Sequence, residues 1–508
     1  MNTKQPTPTP IASADPSYVQ RQDHRQHTPG APQAKEWNHY MNLPNREAGR
    51  FNNRMPYCGK MDMAWTVMLF RQGLIPHATA VKLLAVLPEA REGHGFGGED
   101  WLKERLDGDE ATASAVNFGR TLQEPMYRIM LRDALLEVFD EALDLLEGLL
   151  DKAEEHAETL MAGQSHFSHA QPTTYAAYLL AVHDGIVRGL EQLELAYRRT
   201  NENSGGCGAC SGTGWPVDRE LITDLLGFDK TIEVAYDCEG SQDEIPQILF
   251  ALSSLAITLS RTGMDHSIWT LEEIGAVLPA PGWQGVSSFM PQKAHGGMFE
   301  NVRLAADEVI GEMMKVTVIF KGESIQDVLP VYKSPKHVFH GINCARQGLG
   351  LFRCLIETLQ VRRERMLEIV RNGYSGAPDL AIALIREKGY GGRQAHRICS
   401  NFVRLARERG IHPAETTGAL LDEAARLTAE PEPGLDDARV RENIGLECFF
   451  EKHTEPGSPH PDETAKLIAS RRGAAQDRRR DQAARRERLA AADQRLQAAM
   501  DGILGEAP

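Results

Sequence analysis

Aromatic side chains are scarce in this chain, at 6% of its 508 residues, and no run of about 18 consecutive apolar residues occurs anywhere. The first shortage leaves Ala and Leu to dominate the long middle stretches. Unbranched side chains lose little rotamer freedom in a helix, so the composition favours helices over sheets. The second argues against a membrane-spanning segment. Positive charge is also short, with 56 Lys and Arg against 71 Asp and Glu and a formal net charge of -15. That balance argues against a protein whose main work is gripping nucleic acid or an acidic membrane, although a local pocket can still be basic and accept an anion. Close cysteine pairs are absent apart from Cys207 and Cys210, in Cys-Gly-Ala-Cys. Without a second pair or a His pair at metal spacing, these two are expected to be packing residues of a Gly-rich turn. Residues 1–35 lack the charged start and apolar centre of a secretory signal; they read as a disordered leader, and the protein as cytoplasmic.

What the chain does have is helical periodicity. Hydrophobic residues make up 42% and charged residues 25%, ordinary values for a globular protein. Leu131, Leu135, Val138, Ala142, Leu145 and Leu149 recur at steps of three and four, as do Leu179, Val182, Ile186, Leu190 and Leu193. Ile245, Ile248, Leu252, Leu255 and Leu259 repeat the pattern in a segment so apolar that most of its circumference must be covered. Val302 to Val318 and Ile342 to Val361 complete a set of five long helices. The expected fold is all-α: an N-terminal helical domain over 36–120, a central five-helix bundle over 121–365 and a C-terminal helical domain over 366–456. A linker and charged helical tail follow over 457–508, where Arg478-Arg479-Arg480 and Arg485-Arg486 among acids and alanines read as a solvated face.

The most specific chemical signal is Gly285-Val286-Ser287-Ser288-Phe289-Met290-Pro291-Gln292-Lys293, with Gly282 before it and Gly296-Gly297 after it. Glycines on both sides suit a loop that opens and closes. A helix start just downstream offers free N–H groups to an anion. Two further blocks accompany it. One is Ser165-His166-Phe167-Ser168-His169-Ala170-Gln171-Pro172-Thr173-Thr174; the other is the small-residue turn Gly208 to Thr213 followed by Pro216-Val217-Asp218-Arg219-Glu220. Asp218 and Arg219 read as a helix cap and a surface pair.

Together these segments resemble the aspartase/fumarase superfamily, whose members split C–N or C–O bonds and usually release fumarate. The Met-Pro-Gln-Lys form of the loop is most similar to argininosuccinate lyase and delta-crystallin, and the likeness runs with gaps from about 55 to 455. The resemblance implies that Ser287 is the ionised base, that Lys293 stabilises the developing charge, and that His166 polarises the site through a charge pair with Glu300. It implies that Ser165 binds a substrate carboxylate, that Arg120 and Thr121 shape the substrate wall, and that Gln123, Ser288, Gln292 and His295 also contact substrate. It further implies a homotetramer with each active site built where three subunits meet, a small dicarboxylate substrate, and no metal or organic cofactor. Several binding positions depart from the pattern. His295 replaces an asparagine, Leu122 an arginine, and the Tyr, Gln and Lys set expected after Lys321-Gly322 is not recognisable. The expected reaction is therefore elimination of an amine from an N-substituted aspartate related to argininosuccinate, or the reverse addition. The alternative is a catalytically silent homologue kept for its fold.

Overall fold

The computed structural model describes residues 35–41, 43, 53–93, 98–120 and 125–505. Two N-terminal helices, α1 (Met55–Arg71) and α2 (His77–Val86), precede the long α3 (Met126–Glu155) and α4 (Tyr175–Thr200). The short α5 (Arg219–Leu226) leads to α6 (Glu244–Trp269), α7 (Met298–Gly322) and α8 (Pro335–Thr358). Smaller helices follow, α9 (Arg363–Arg371), α10 (Ala377–Lys388), α11 (Gly392–Glu408), α12 (Gly418–Leu427) and α13 (Asp437–Ile444), before the terminal α14 (Pro461–Gly505). Helix α3 packs on α4, α4 on α6, α6 on α7 and α7 on α8, and α8 returns to α3. The five periodic segments of the sequence are thus the closed bundle. The fold is all-α. Strands among the described residues occur only as two-stranded ribbons.

Local chemistry sets the helix ends. Thr174 caps α4, its hydroxyl accepting from the Ala177 N–H at 3.1 Å. Asp218 caps α5 through the Leu221 N–H at 2.9 Å, as its position in the sequence suggests, and Gly227 ends α5 at φ 72°. Inside the bundle, Arg128 on α3 meets Glu244 on α6 at 2.9 Å, with both side chains buried. Such a pair fixes register more than it adds net stability, because desolvation offsets most of its Coulomb attraction. Helices α4 and α6 cross where Gly189 has no side chain; a Cβ there would lie 3.0 Å from that of Leu255.

Helix α6 has two faces. Its inner face is core, Ile245, Ile248, Leu252, Leu255 and Leu259 all being buried. Its outer face exposes Phe250, Ile257 and Met264 at intervals of seven, and α7 exposes Leu304, Met314 and Val318 beside it. By length and composition α6 could cross a bilayer, yet half of its surface is packed inside the bundle. Near its C-terminal end the buried His266 bonds the Tyr175 hydroxyl through Nε2 and the Thr262 carbonyl through Nδ1, both at 2.8 Å. Its ring stacks on Phe299, with centroids 5.1 Å apart.

The tail departs from the expected solvated face. Its arginines meet acids of the bundle: Arg471 with Asp184, Arg472 with Asp151 and Glu154, Arg479 with Asp144 and Glu147, Arg485 with Glu194, and Arg486 with Asp140. Arg485 also lies 4.6 Å from the Tyr197 ring centre. The distal end of α14 buries Leu496, Met500 and Ile503 in the same apolar cluster as Trp65 of α1, Leu83 of α2 and Leu225 of α5. Residues from both ends of the chain therefore share the N-terminal core, which 36–120 alone does not complete. Helices α10 to α13 enclose a separate core around Leu380, Phe402, Leu421 and Val440. Cys207 is buried beside Ile232 and Cys238.

Two outcomes are expected. Exposed ion pairs contribute about 0–1 kcal/mol each and are screened by salt, whereas a buried Leu→Ala change costs about 2–5 kcal/mol. In molar NaCl, hydrogen exchange should therefore speed up over 471–486 while 492–503 stays protected; uniform protection along α14 would refute the division. Burial drives the imidazoles of His266 and His156 down to about 4, below the ordinary ~6.5. Between those values the unfolded chain binds protons that the folded chain refuses. Stability is thus full above about pH 6.5 and is lost as pH falls towards 4. His266→Gln should flatten that slope of Tm against pH, and an unaltered slope would exclude this residue.

Candidate functional site

The Ser287 loop is a hairpin. Strands β3 (Gly285–Val286) and β4 (Ala294–His295) pair antiparallel, with Gly285 opposite His295 and Val286 opposite Ala294. The connection between them holds Ser287 to Lys293 away from the body of the chain. Ser288, Phe289, Met290, Pro291, Gln292 and Lys293 are all exposed, and Ser287 is half-buried. The base of the hairpin is closed by close packing. A Cβ on Gly285 would come within 2.3 Å of the His295 ring, so any larger residue there would displace that imidazole. The imidazole Nδ1 of His295 accepts the Gly297 N–H at 3.1 Å. His295 is thus engaged in holding the hairpin's root.

Within the loop the chain curls round the Ser287 hydroxyl. Its Oγ accepts the backbone N–H of Phe289 at 3.2 Å and that of Met290 at 3.0 Å, while the Lys293 N–H closes the turn on the Met290 carbonyl at 3.1 Å. Two N–H dipoles directed at one oxygen favour its anionic form over its neutral one. Glu300 lies exposed in the first turn of α7, which follows the hairpin directly.

The second block is another hairpin, β1 (Leu160–Ser165) with β2 (Ser168–Thr174). Ser165 pairs with Ser168, leaving His166 and Phe167 as a two-residue turn with φ of 52° and 59°. Both central residues of such a turn need positive φ, normally supplied by Asn or Gly. For side chains as large as His and Phe this conformation costs about 1–2 kcal/mol each, and strain of this kind clusters at functional sites. Phe167 is 85% exposed, and Ser165 and His166 are exposed with it. The hairpin borders a cavity of about 310 Å³ lined by Gln164, Thr173, Tyr178, Asp265 and Trp269. There the Tyr178 hydroxyl donates to Asp265 at 2.7 Å, and burial holds that phenol well above its usual range. A larger cleft of about 990 Å³ runs between β2 and helices α10 and α11, past His169, Gln171, Tyr374, His396, Arg404 and Arg407.

Arg120 occupies a third position. It is buried, with its guanidinium against the Asp62 carboxylate, its Nε donating to the Val116 carbonyl at 3.1 Å, and its Cζ 5.4 Å from the Trp65 ring centre. Burial raises the Asp62 carboxyl above its usual range, and Arg120 opposes that rise. The guanidinium Nη1 is also buried and makes no hydrogen bond among the described residues. Asp62 was not among the residues singled out from sequence. Its signal was there, an acid set between Met61 and Met63 on an otherwise apolar helix. Thr121 and Gln123 lie outside the described residues. Among the described residues of one chain, no hydrogen bond or ion pair joins the Ser287 loop to Ser165, His166 or Arg120, and His166 and Glu300 are not paired.

Comparison with known proteins accords with this architecture. Residues 94–311 match a family model described as lyase. The chain is 30% identical over 422 residues to the argininosuccinate lyase of Methanothermobacter thermautotrophicus, covering 79% of this chain and 88% of that one. It is 29% identical over 457 residues to the argininosuccinate lyase of Methanothrix thermoacetophila, covering 87% and 92%. The crystal structure of EDDS lyase in complex with formate superposes with a TM-score of 0.87 at 24% identity, over 94% of this chain and 97% of that one. A class II fumarase from Schistosoma mansoni has a TM-score of 0.63 at 16% identity, over 80% and 95%. The chain belongs to the argininosuccinate lyase family within the aspartase/fumarase superfamily, and it is a carbon–nitrogen lyase.

Proposed function

We propose that the protein eliminates an amine from an N-substituted aspartate and releases fumarate, or runs the addition in reverse, with Ser287 as the base. The observation that carries this reading is the pair of N–H groups aimed at the Ser287 oxygen in a hairpin loop that also carries Lys293. An ionised hydroxyl there takes the proton from the carbon beside one substrate carboxylate. The electron pair moves into that carboxylate, giving a group with two negative charges. It then returns to form the double bond as the C–N bond of the protonated amine breaks and the neutral amine leaves with the bonding pair. Lys293 supplies positive charge where the intermediate is most negative, whereas the first N–H groups of α7, the helix start expected to hold an anion, are taken by the Gly296 and Gly297 carbonyls. The names of two relatives, argininosuccinate lyase and an EDDS lyase variant with bound fumarate, support fumarate as the shared product.

In this reading Ser165 and the strained His166 turn bind the second carboxylate, with Glu300 as the partner of His166. Gln292, Ser288, Thr121 and Gln123 line the pocket, and the unfilled Nη1 of Arg120 faces an anionic group. His295 acts through the hairpin root it packs. These parts lie apart within one chain, so the site needs more than one copy. The heptad spacing of Phe250, Ile257 and Met264 on α6, next to exposed Leu304 and Val318 on α7, supplies the seam for a homotetramer.

Incubating fumarate with a panel of amines, and following fumarate absorbance, tests the reaction. Ser287→Ala should lower kcat by about 10²–10⁴-fold, the worth of a positioned base, and Lys293→Gln by about 10²–10³-fold. Failure of every amine to alter fumarate would leave the silent homologue as the better reading, and a Ser287→Ala protein as fast as wild type would exclude Ser287 as the base. Light scattering should report a tetramer, and Phe250→Asp with Ile257→Asp should yield inactive smaller species. Full activity in a monomer would defeat the shared site.

A further inference from the structure

We propose that helices α7 and α8 carry a binding site for a divalent first-row metal ion such as Zn²⁺, formed by Glu308, Glu312 and His340. Glu308 and Glu312 stand one turn apart on α7, and His337 and His340 one turn apart on the facing side of α8. One donor atom from each of Glu308, Glu312 and His340 lies within 4.8 Å of the other two. Bonds of about 2.0–2.2 Å to zinc place tetrahedral ligands about 3.4 Å apart, so small side-chain rotations close these groups round an ion.

The surroundings fit the same chemistry. His337 Nδ1 bonds Glu312 Oε2 at 2.6 Å and fixes that buried carboxylate, in the way that groups behind a metal ligand orient it. Lys315 takes the other oxygen, Oε1, at 2.8 Å. His340 Nε2 stands 3.5 Å from Glu308 Oε2 and 3.6 Å from the Cys344 sulfur. Two carboxylates one turn apart repel unless positive charge lies between them; the Lys315 ammonium bonds Glu312 and is drawn more weakly to Glu308. An imidazole and two carboxylates leave a coordination position for water, a set suited to zinc, cobalt or iron(II). Such an ion would staple the middle of α7 to the first turns of α8, across the 323–334 connection, while the Ser287 loop precedes the first residue of α7.

The experiment uses the full-length protein, stripped with a chelator and titrated with Co²⁺. We expect a visible ligand-field band that saturates at one equivalent per chain and is erased by Zn²⁺. The comparison protein is Glu308→Gln with His340→Gln, at two surface-reaching positions, checked by circular dichroism to have the wild-type fold. It should lose the band and bind Co²⁺ at least about 100-fold more weakly, while lyase activity persists. As a second arm, Zn²⁺ should raise the Tm of wild type and not of the variant. Absence of the band from wild type, or an equal band in both proteins, overturns the proposal and leaves the cluster as ordinary His–Glu pairing. Neither result bears on Ser287, so this site and the proposed reaction stand or fall separately.

Discussion

The apolar helix Glu244–Trp269 is the constraint from which the rest of the molecule follows. Its inner face fills the centre of the bundle and fixes where α4, α7 and α8 can lie. The helix is apolar nearly all round, and the bundle leaves Phe250, Ile257 and Met264 outside. Its last turns hold His266 and Trp269 under the start of α7, and Thr270 lies against Gly296, next to the Ser287 hairpin. Packing, the exposed apolar face of the proposed seam and the anchoring of the loop thus meet on one element.

Rigid support matters because the chemistry asked of Ser287 depends on direction. A hydroxyl becomes a useful base only if its negative charge is held by dipoles already in place, since reorganising them during the reaction would cost what they contribute. The loop meets that condition with its own backbone, through Phe289 and Met290, and so needs no distant side chain to do it. The exposed tip is free to approach another surface, and its root is locked by Gly285 under the His295 ring. The histidine at position 295, where the family pattern has asparagine, therefore bears on the root of the hairpin.

Much of this was legible in the sequence because it is local or periodic. The five long helices follow from spacing at three and four residues, and the Asp218 cap from its place before an apolar run. Elements that depend on distant partners were not legible. The arginines of α14 read as a solvated face because the acids they meet, such as Asp144 and Asp184, lie some 300 residues earlier and carry no mark of the pairing. The β1–β2 hairpin escaped notice because 160–174 has no clean alternation and no Asn-Gly turn. The reading of the loop rested on a resemblance; the N–H groups round its oxygen are a property of the folded turn alone.

The two hairpins also explain how departures at binding positions can leave the reaction intact. In the proposed reaction, proton removal depends on the curl round Ser287 and on Lys293, which lie within nine residues of Gly285. Recognition of the leaving amine would fall to surfaces elsewhere, among them the segment after Lys321. On the proposed reading, the departures at Leu122 and His295 change which amine fits without touching the groups that receive the proton. A chemical step carried by one short loop, and a specificity surface spread over several others, can change independently; that separation is the physical reason to expect an altered substrate on a conserved reaction.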